Sequence, residues 1–241
     1  MNDVQQSLLG AYPVTALHMV GTPPPPTPGL PSQWQPPLPP AQYGIDYTFL
    51  GRHGGRPVLW QRDLSITIRI AGPHLGKQGQ TTAAVLAELA GLTGMSLRAG
   101  DPWPQTPSLR AVPRQEIHVG FTAALPPATP FGPCAGQAGF GGAVAFPGSD
   151  HYVCGLAVVA TGVARPGSSR ELAVLRHELA HTLGLGHAAR PSLLMHYRLS
   201  AGITDYGRGD RRGLSLLRGA PPPKAGPAPR PSSGRTNPCA A

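Results

Sequence analysis

Ser168-Ser169-Arg170-Glu171-Leu172-Ala173-Val174-Leu175-Arg176-His177-Glu178-Leu179-Ala180-His181-Thr182-Leu183-Gly184-Leu185-Gly186-His187 is a helix with a sharp exit. Pro166-Gly167 supplies the turn before it. Ser168 and Glu171 form a capping box: the hydroxyl accepts from the third helical N–H while the glutamate reaches back to the N–H of the cap. At about 100° per residue, Leu172, Leu175, Leu179 and Leu183 lie within about 80° of one another, so they are the buried stripe. With His177 at zero, His181 lies at about 40° and Glu178 at about 100°. The helix is therefore expected to bury one side and present two imidazoles and a carboxylate on the other.

His177-Glu178-Leu179-Ala180-His181 is H-E-x-x-H. Two histidines one helical turn apart can aim both Nε2 atoms at one ion, a geometry zinc accepts from imidazole. Glu178, on the same turn but offset, can reach a metal-bound water without becoming a ligand. Gly184 and His187 extend the pattern to H-E-x-x-H-x-x-G-x-x-H. Glycine lets a chain leave a helix through a left-handed residue and turn back. Such a turn can swing His187 to the same metal as a third ligand. The competing reading of the residues alone is an amphipathic helix with solvated histidines and a glycine cap.

Outward from this segment, the 241-residue chain carries 32 Gly and 31 Pro, and the prolines are concentrated at its ends. Thr22 to Pro40 holds ten of them and Ala220 to Ala241 seven. Such stretches have too few backbone donors and too little apolar side chain to build a core. The expected organisation is a Pro-rich disordered segment over 1–42, one domain over 43–219 and a Pro-rich disordered tail over 220–241. No apolar run approaches the roughly 18–20 residues of a membrane span. Leu64 to Ile70 alternates with period two and reads as a strand, and Glu116 to Phe121 as another. Gly142 to Phe146 and Gly155 to Thr161 are also strand-like, and Thr81 to Leu92 reads as a helix after breaks at Gly72, Pro73, Gly76 and Gly79. Strand, helix, then several strands gives an α+β fold with a twisted mixed sheet and helices behind it.

The net charge of +9 comes with eighteen arginines among twenty basic residues, scattered singly rather than in blocks. That scatter argues against a nucleic-acid partner. Cys134, Cys154 and Cys239 show no C-x-x-C spacing, so a cysteine zinc site is unsupported. A Cys134–Cys154 bridge and ordinary reduced thiols both stay open.

His177-Glu178-x-x-His181-x-x-Gly184-x-x-His187, followed by Met195, resembles the metzincin clan of zinc endopeptidases. Leu183-Gly184-Leu185-Gly186-His187 is similar to its matrixin branch. So is Ile203-Thr204-Asp205 with Asp210-Arg211-Arg212-Gly213-Leu214-Ser215-Leu216-Leu217, which looks like the helix that closes a matrixin domain. Tyr47-Thr48-Phe49-Leu50 and Pro57-Val58-Leu59-Trp60 resemble the start of actinobacterial matrixin-like proteins. Two departures stand out. Ala188 follows the third histidine where matrixins carry Ser and astacins Glu, and the turn reads Met195-His196-Tyr197, as in astacins.

The resemblance implies a metzincin-like (zincin) domain with a backing helix, an active-site helix and a C-terminal helix. It implies one catalytic Zn2+ on His177, His181 and His187, with Glu178 as general base. Gly184 is then the helix-exit turn, Met195 the Met-turn floor beneath the histidines, and Tyr197 a candidate transition-state stabiliser. For Tyr197, an aromatic that only packs the turn stays open. A structural Ca2+ or second Zn2+ is not supported, because Ala143 to Cys154 lacks the run of His, Asp and Gly such sites need. Asp150, His151 and His118 read as polar surface residues. The substrate expected is a protein or peptide lying as an extended strand along Gly142 to Phe146. A monomer is expected, with no nucleic acid partner and no membrane span. The setting expected is extracellular, although Ser7 to Val20 makes a poor signal peptide, and a cytoplasmic one stays open. The rival functions are a non-catalytic zinc-stapled binding module and a basic nucleic-acid-binding protein.

Overall fold

The computed structural model describes residues 41–218 apart from 62–64, 72–74, 104–111, 126–127, 130–131, 134–136 and 147. Cys134, Cys239 and both Pro-rich ends lie outside the described residues.

Three short strands open the described chain: β1 (Thr48–Phe49), β2 (Arg52–His53) and β3 (Arg56–Pro57). The alternating stretch becomes β4 (Ser65–Ala71), whose Ile66 and Ile68 point into the core. Helix α1 (Leu75–Thr93) follows, then β5 (Ser96–Ala99), β6 (Glu116–Thr122), and the short β7 (Ala128–Thr129) and β8 (Gly132–Pro133). Strands β9 (Gly139–Ala145) and β10 (Tyr152–Ala160) lead into α2 (Ser169–Leu183), β11 (Leu185–Gly186) and α3 (Arg208–Leu216). The main sheet has the order β5-β4-β6-β10-β9. Pairing is parallel from β5 through β10, and β9 alone runs antiparallel on the edge. This is a mixed α+β architecture with a mixed sheet and, among the described residues, three helices.

Helix α1 begins six residues before the expected start, so Gly76 and Gly79 sit inside it rather than breaking the chain. Each glycine costs about 1 kcal/mol against alanine in a helix. Tertiary anchoring offsets that cost. Gln78, Thr82, Val85, Leu86 and Leu89 form its buried face at helical spacing, and Gln78 Nε2 donates to Glu171 of α2 at 3.1 Å. Strand β5 has no apolar alternation, with only Leu97 of its four residues even half-buried. Pairing with β4 creates it, which is why periodicity did not show it.

The core forms between one sheet face and the helices. Ile117, Val119 and Phe121 of β6 and Ala157 and Val159 of β10 meet Val85 and Leu89 of α1 and Leu175, Leu179 and Leu183 of α2. Full burial of each large apolar side chain contributes about 1.5–3 kcal/mol. A smaller cluster of Phe140, Leu156 and Val158, with Leu125 against it, lies apart from that core. His118 is corrected by the structure. It is 1 % exposed, its Nε2 lies 2.9 Å from Glu116, and Trp103 packs on its ring at 4.4 Å. Burial pushes its pKa down while Glu116 opposes the shift. Asp150 and His151 do sit exposed, side by side at 3.4 Å.

Cys154 lies within β10 and carries a free thiol. Among the described residues no helix is long and apolar enough to cross a membrane.

Candidate metal centre

Helix α2 starts and stops where its caps dictate. Ser168 is extended and its hydroxyl accepts from Glu171 N–H at 3.1 Å. The reciprocal half of the expected capping box differs. Ser168 N–H donates to Arg165 O, and Glu171 instead accepts from Gly167 N–H at 2.6 Å. The turn at Arg165 had already used the cap's donor, so the carboxylate took the next one upstream. At the far end Gly184 adopts φ 110°, and its N–H returns to Ala180 O and His181 O. That left-handed residue ends the helix and turns the chain into β11, which pairs with β1.

The sequence placed His177, Glu178 and His181 on an outward face. All three are instead 0 % exposed. Edge strand β9 lies against Glu178, and it can do so because it carries glycines where the helix passes. A Cβ on Gly139 would come within 2.9 Å of Glu178 Cγ, and one on Gly141 would strike the Glu178 carbonyl. The helix is thus enclosed by the leucine core on one side and by glycine backbone on the other.

Within that enclosure the turn at Gly184 does bring the third histidine back. One ring nitrogen each of His177, His181 and His187 lies within 4.8 Å of the other two. His177 Nε2 is 3.0 Å from His181 Nε2 and 3.3 Å from His187 Nε2. The outer nitrogens define the protonation. His177 Nδ1 faces Leu194 O at 2.7 Å and His181 Nδ1 faces Leu185 O at 2.7 Å. A carbonyl can only accept, so in each ring Nδ1 bears the proton and Nε2 of the neutral imidazole offers a lone pair. Two such lone pairs 3.0 Å apart repel unless a cation sits between them. A tetrahedral zinc with Zn–N of about 2.0–2.1 Å spaces its nitrogens about 3.3–3.4 Å apart. The three histidines therefore fit that ion in donor type, and His177 and His181 fit it in the orientation of their rings as well.

Glu178 is not in the ligand cluster. Both carboxyl oxygens are buried and have no hydrogen-bond partner, and burial pushes its pKa well above the usual carboxylate range. An orphaned buried carboxyl costs stability unless something polar enters beside it. Among the described residues no fourth His, Cys, Asp or Glu joins the three imidazoles.

Met195 is fully buried, its N–H directed at Asp210 Oδ1 (3.3 Å) and its carbonyl accepting from Ala188 N–H (2.8 Å). Tyr197 is 47 % exposed, with its ring 6.3 Å from that of His187. Arg198 lies over the Tyr197 ring at 5.4 Å. Sequence reasoning assigned no part in the site to Asp210. Its carboxyl accepts from Leu194 N–H at 2.9 Å and Gly207 N–H at 2.9 Å as well as from Met195. Asp210 thus grips the turn whose Leu194 carbonyl orients His177. The only sequence sign was an Asp in the first turn of the closing helix, where a dipole partner already explained it.

No family model matches the chain, and no curated protein matches it. Among solved structures it is similar to archaemetzincin from Methanopyrus kandleri, at 18 % sequence identity and a TM-score of 0.40, over 66 % of this chain and 96 % of that one. The chemistry of the centre accordingly stands on its own donor set and geometry.

Proposed function

We propose that the chain is a zinc-dependent endopeptidase. One observation carries the reading: three imidazoles each bring one ring nitrogen to within 4.8 Å of the other two, on and just past the helix turn that holds a buried carboxyl with no partner. When bound, zinc with one open position lowers the pKa of a water to about 7 and polarises a carbonyl. His177, His181 and His187 hold the ion. His177 and His181 are oriented by carbonyls at Nδ1, which leaves their Nε2 atoms turned toward the shared point.

Glu178 takes a proton from the attacking water and later delivers it to the leaving nitrogen. Burial raises its pKa, which strengthens it as a base toward that water. Tyr197, exposed beside His187, is assigned to donate to the developing oxyanion. Met195 packs the floor of the turn and has no acid–base part. Among the described residues β9 is the edge of the main sheet, and its outer backbone groups are proposed to pair with an extended peptide that lies along it as an added strand. The metzincin clan, as the sequence suggests, is the framework in which these roles fall together. Its matrixin-like, secreted form belongs to the same proposal.

The test is zinc content measured together with digestion of casein or gelatin, with and without a chelator. One zinc per chain and chelator-sensitive cleavage are expected. Glu178→Ala should keep the zinc and lose about 10²–10⁴-fold in turnover. Full turnover in that variant would remove the general-base assignment. Zinc without cleavage of any protein would instead favour a metal-stapled binding module.

A further inference from the structure

Helix α2 rigidly sets His177 and His181, but His187 lies beyond the helix exit, where the helix cannot position it. The chain that positions it comes from the other end of the sequence. Residues 42–50 run alongside 184–190 in a continuous set of contacts. Leu50 N–H donates to Gly184 O at 2.8 Å, Phe49 pairs with Leu185, and Thr48 pairs with Gly186. Ala189 N–H donates to Ile45 O at 2.8 Å, and Asp46 forms an ion pair with Arg190. At the centre, Thr48 Oγ1 donates to the carbonyl of His187 itself at 2.7 Å, across 139 residues of sequence.

The other side of this segment is clamped by α3. A Cβ on Gly213 would come within 2.8 Å of Tyr47 Cβ, and one on Gly209 would meet the Asp46 backbone. Gly186 must likewise lack a side chain, because a Cβ there would strike Thr48 Oγ1. The segment has no room to slide, and its Thr48 hydroxyl bonds directly to the backbone of a ligand histidine.

We propose that residues 42–50 are a strap that positions the third ligand, with Thr48 as its positioning residue, so that metal affinity depends on this distant segment. The proposal rests on the metal-site reading above but not on peptide hydrolysis. Without the Thr48 hydroxyl the His187 carbonyl loses this donor from the strap, and the loop bearing His187 relaxes away from the other two histidines. Partners hydrogen-bonded to the ligating side chains themselves typically carry 10–100-fold in metal affinity, and Thr48 acts one step further out, on the backbone of the ligand, so the low end of that range applies.

The experiment uses the full chain, Thr48→Val and Thr48→Ser, with zinc and cobalt(II) titrated against a chromophoric chelator. Valine keeps the branched shape that suits the strand, and serine keeps the hydroxyl. Thr48→Val is expected to bind zinc about 10-fold or more weakly. Its cobalt(II) absorption should weaken as water replaces one imidazole. Thr48→Ser should restore both. Melting of the metal-free chains guards against a general loss of fold: the metal-free midpoint should be little changed in Thr48→Val, while the gain on adding zinc shrinks. Equal zinc affinity and an equal cobalt(II) spectrum in Thr48→Val would overturn the strap alone. Failure of the unaltered chain to take up either metal would overturn the metal centre and the strap together.

Discussion

Asp210 has two opposing influences on its carboxyl, and the balance is measurable. Burial pushes its pKa from 3.8 up to about 6, while the N–H groups of Gly207, Leu194 and Met195 hold it down. Because the folded state keeps this proton more tightly than the unfolded chain, its stabilising contribution is fully present below about pH 4 and is lost as pH rises through 6. A gap of that size is worth about 3 kcal/mol. Urea midpoints of the metal-free chain should therefore carry a downward component between these pH values. Asp210→Asn should remove that component. It also turns an NH2 toward a backbone N–H, which is expected to lower stability by about 1–3 kcal/mol at neutral pH. Identical pH profiles for the two chains would rule out titration of Asp210 in this range.

At the scale of elements, the site depends on how closely β9 lies on α2. Alternation along the strand sends Gly139 and Gly141 toward the helix, whereas a Cβ on Gly142 would meet nothing within 4 Å. Gly141→Ala must separate the two elements, since the obstacle is Glu178 backbone rather than a movable side-chain tip. It is expected to destabilise by about 1–3 kcal/mol or more, with activity falling as Glu178 shifts. Gly142→Ala is expected to be nearly neutral. Thermal melting of the pair provides the check, and equal midpoints would refute the close packing. On its other flank α2 is tied by Arg176, which bridges Glu88 of α1 and Asp205 at 2.8 Å each. Tyr206 OH also donates to Arg176 O at 2.7 Å. The turn of helix carrying the first histidine is thus held by α1 and by the segment leading into α3.

For the molecule as a whole, the single described cysteine reports on integrity. Burial pushes the Cys154 thiol up to about 11. At about pH 8 its thiolate is then on the order of 0.1 % of the population, and alkylation is slow. Iodoacetamide followed by mass spectrometry should find Cys154 unmodified in the folded chain and modified in denaturant. Resistance in denaturant without reductant would show it bridged instead of free. Metal should act at this scale too. Zinc at about 1,000 times its dissociation constant adds about 4 kcal/mol to the folded state, so a chelator should lower the melting midpoint measurably.

What the sequence by itself determined is local. Helical spacing set His177, Glu178 and His181 on one turn, Ser168 and Gly184 marked the ends of α2, alternation located β4 and β6, and short apolar runs located β9 and β10 to within a few residues. Those features follow from backbone geometry and caps, which act between neighbours in the chain. What only the tertiary structure decided is everything that depends on residues far apart in sequence. It buried a helix face that periodicity left in water, and glycines of β9 let that strand lie against Glu178. It made β5 from a stretch with no pattern, because pairing rather than propensity creates an edge strand. It also gave Asp210, Leu185, Leu194 and Thr48 their parts around the histidines. All four act as backbone groups or through them, and backbone donors and acceptors are the same at every position of a sequence until the fold chooses among them.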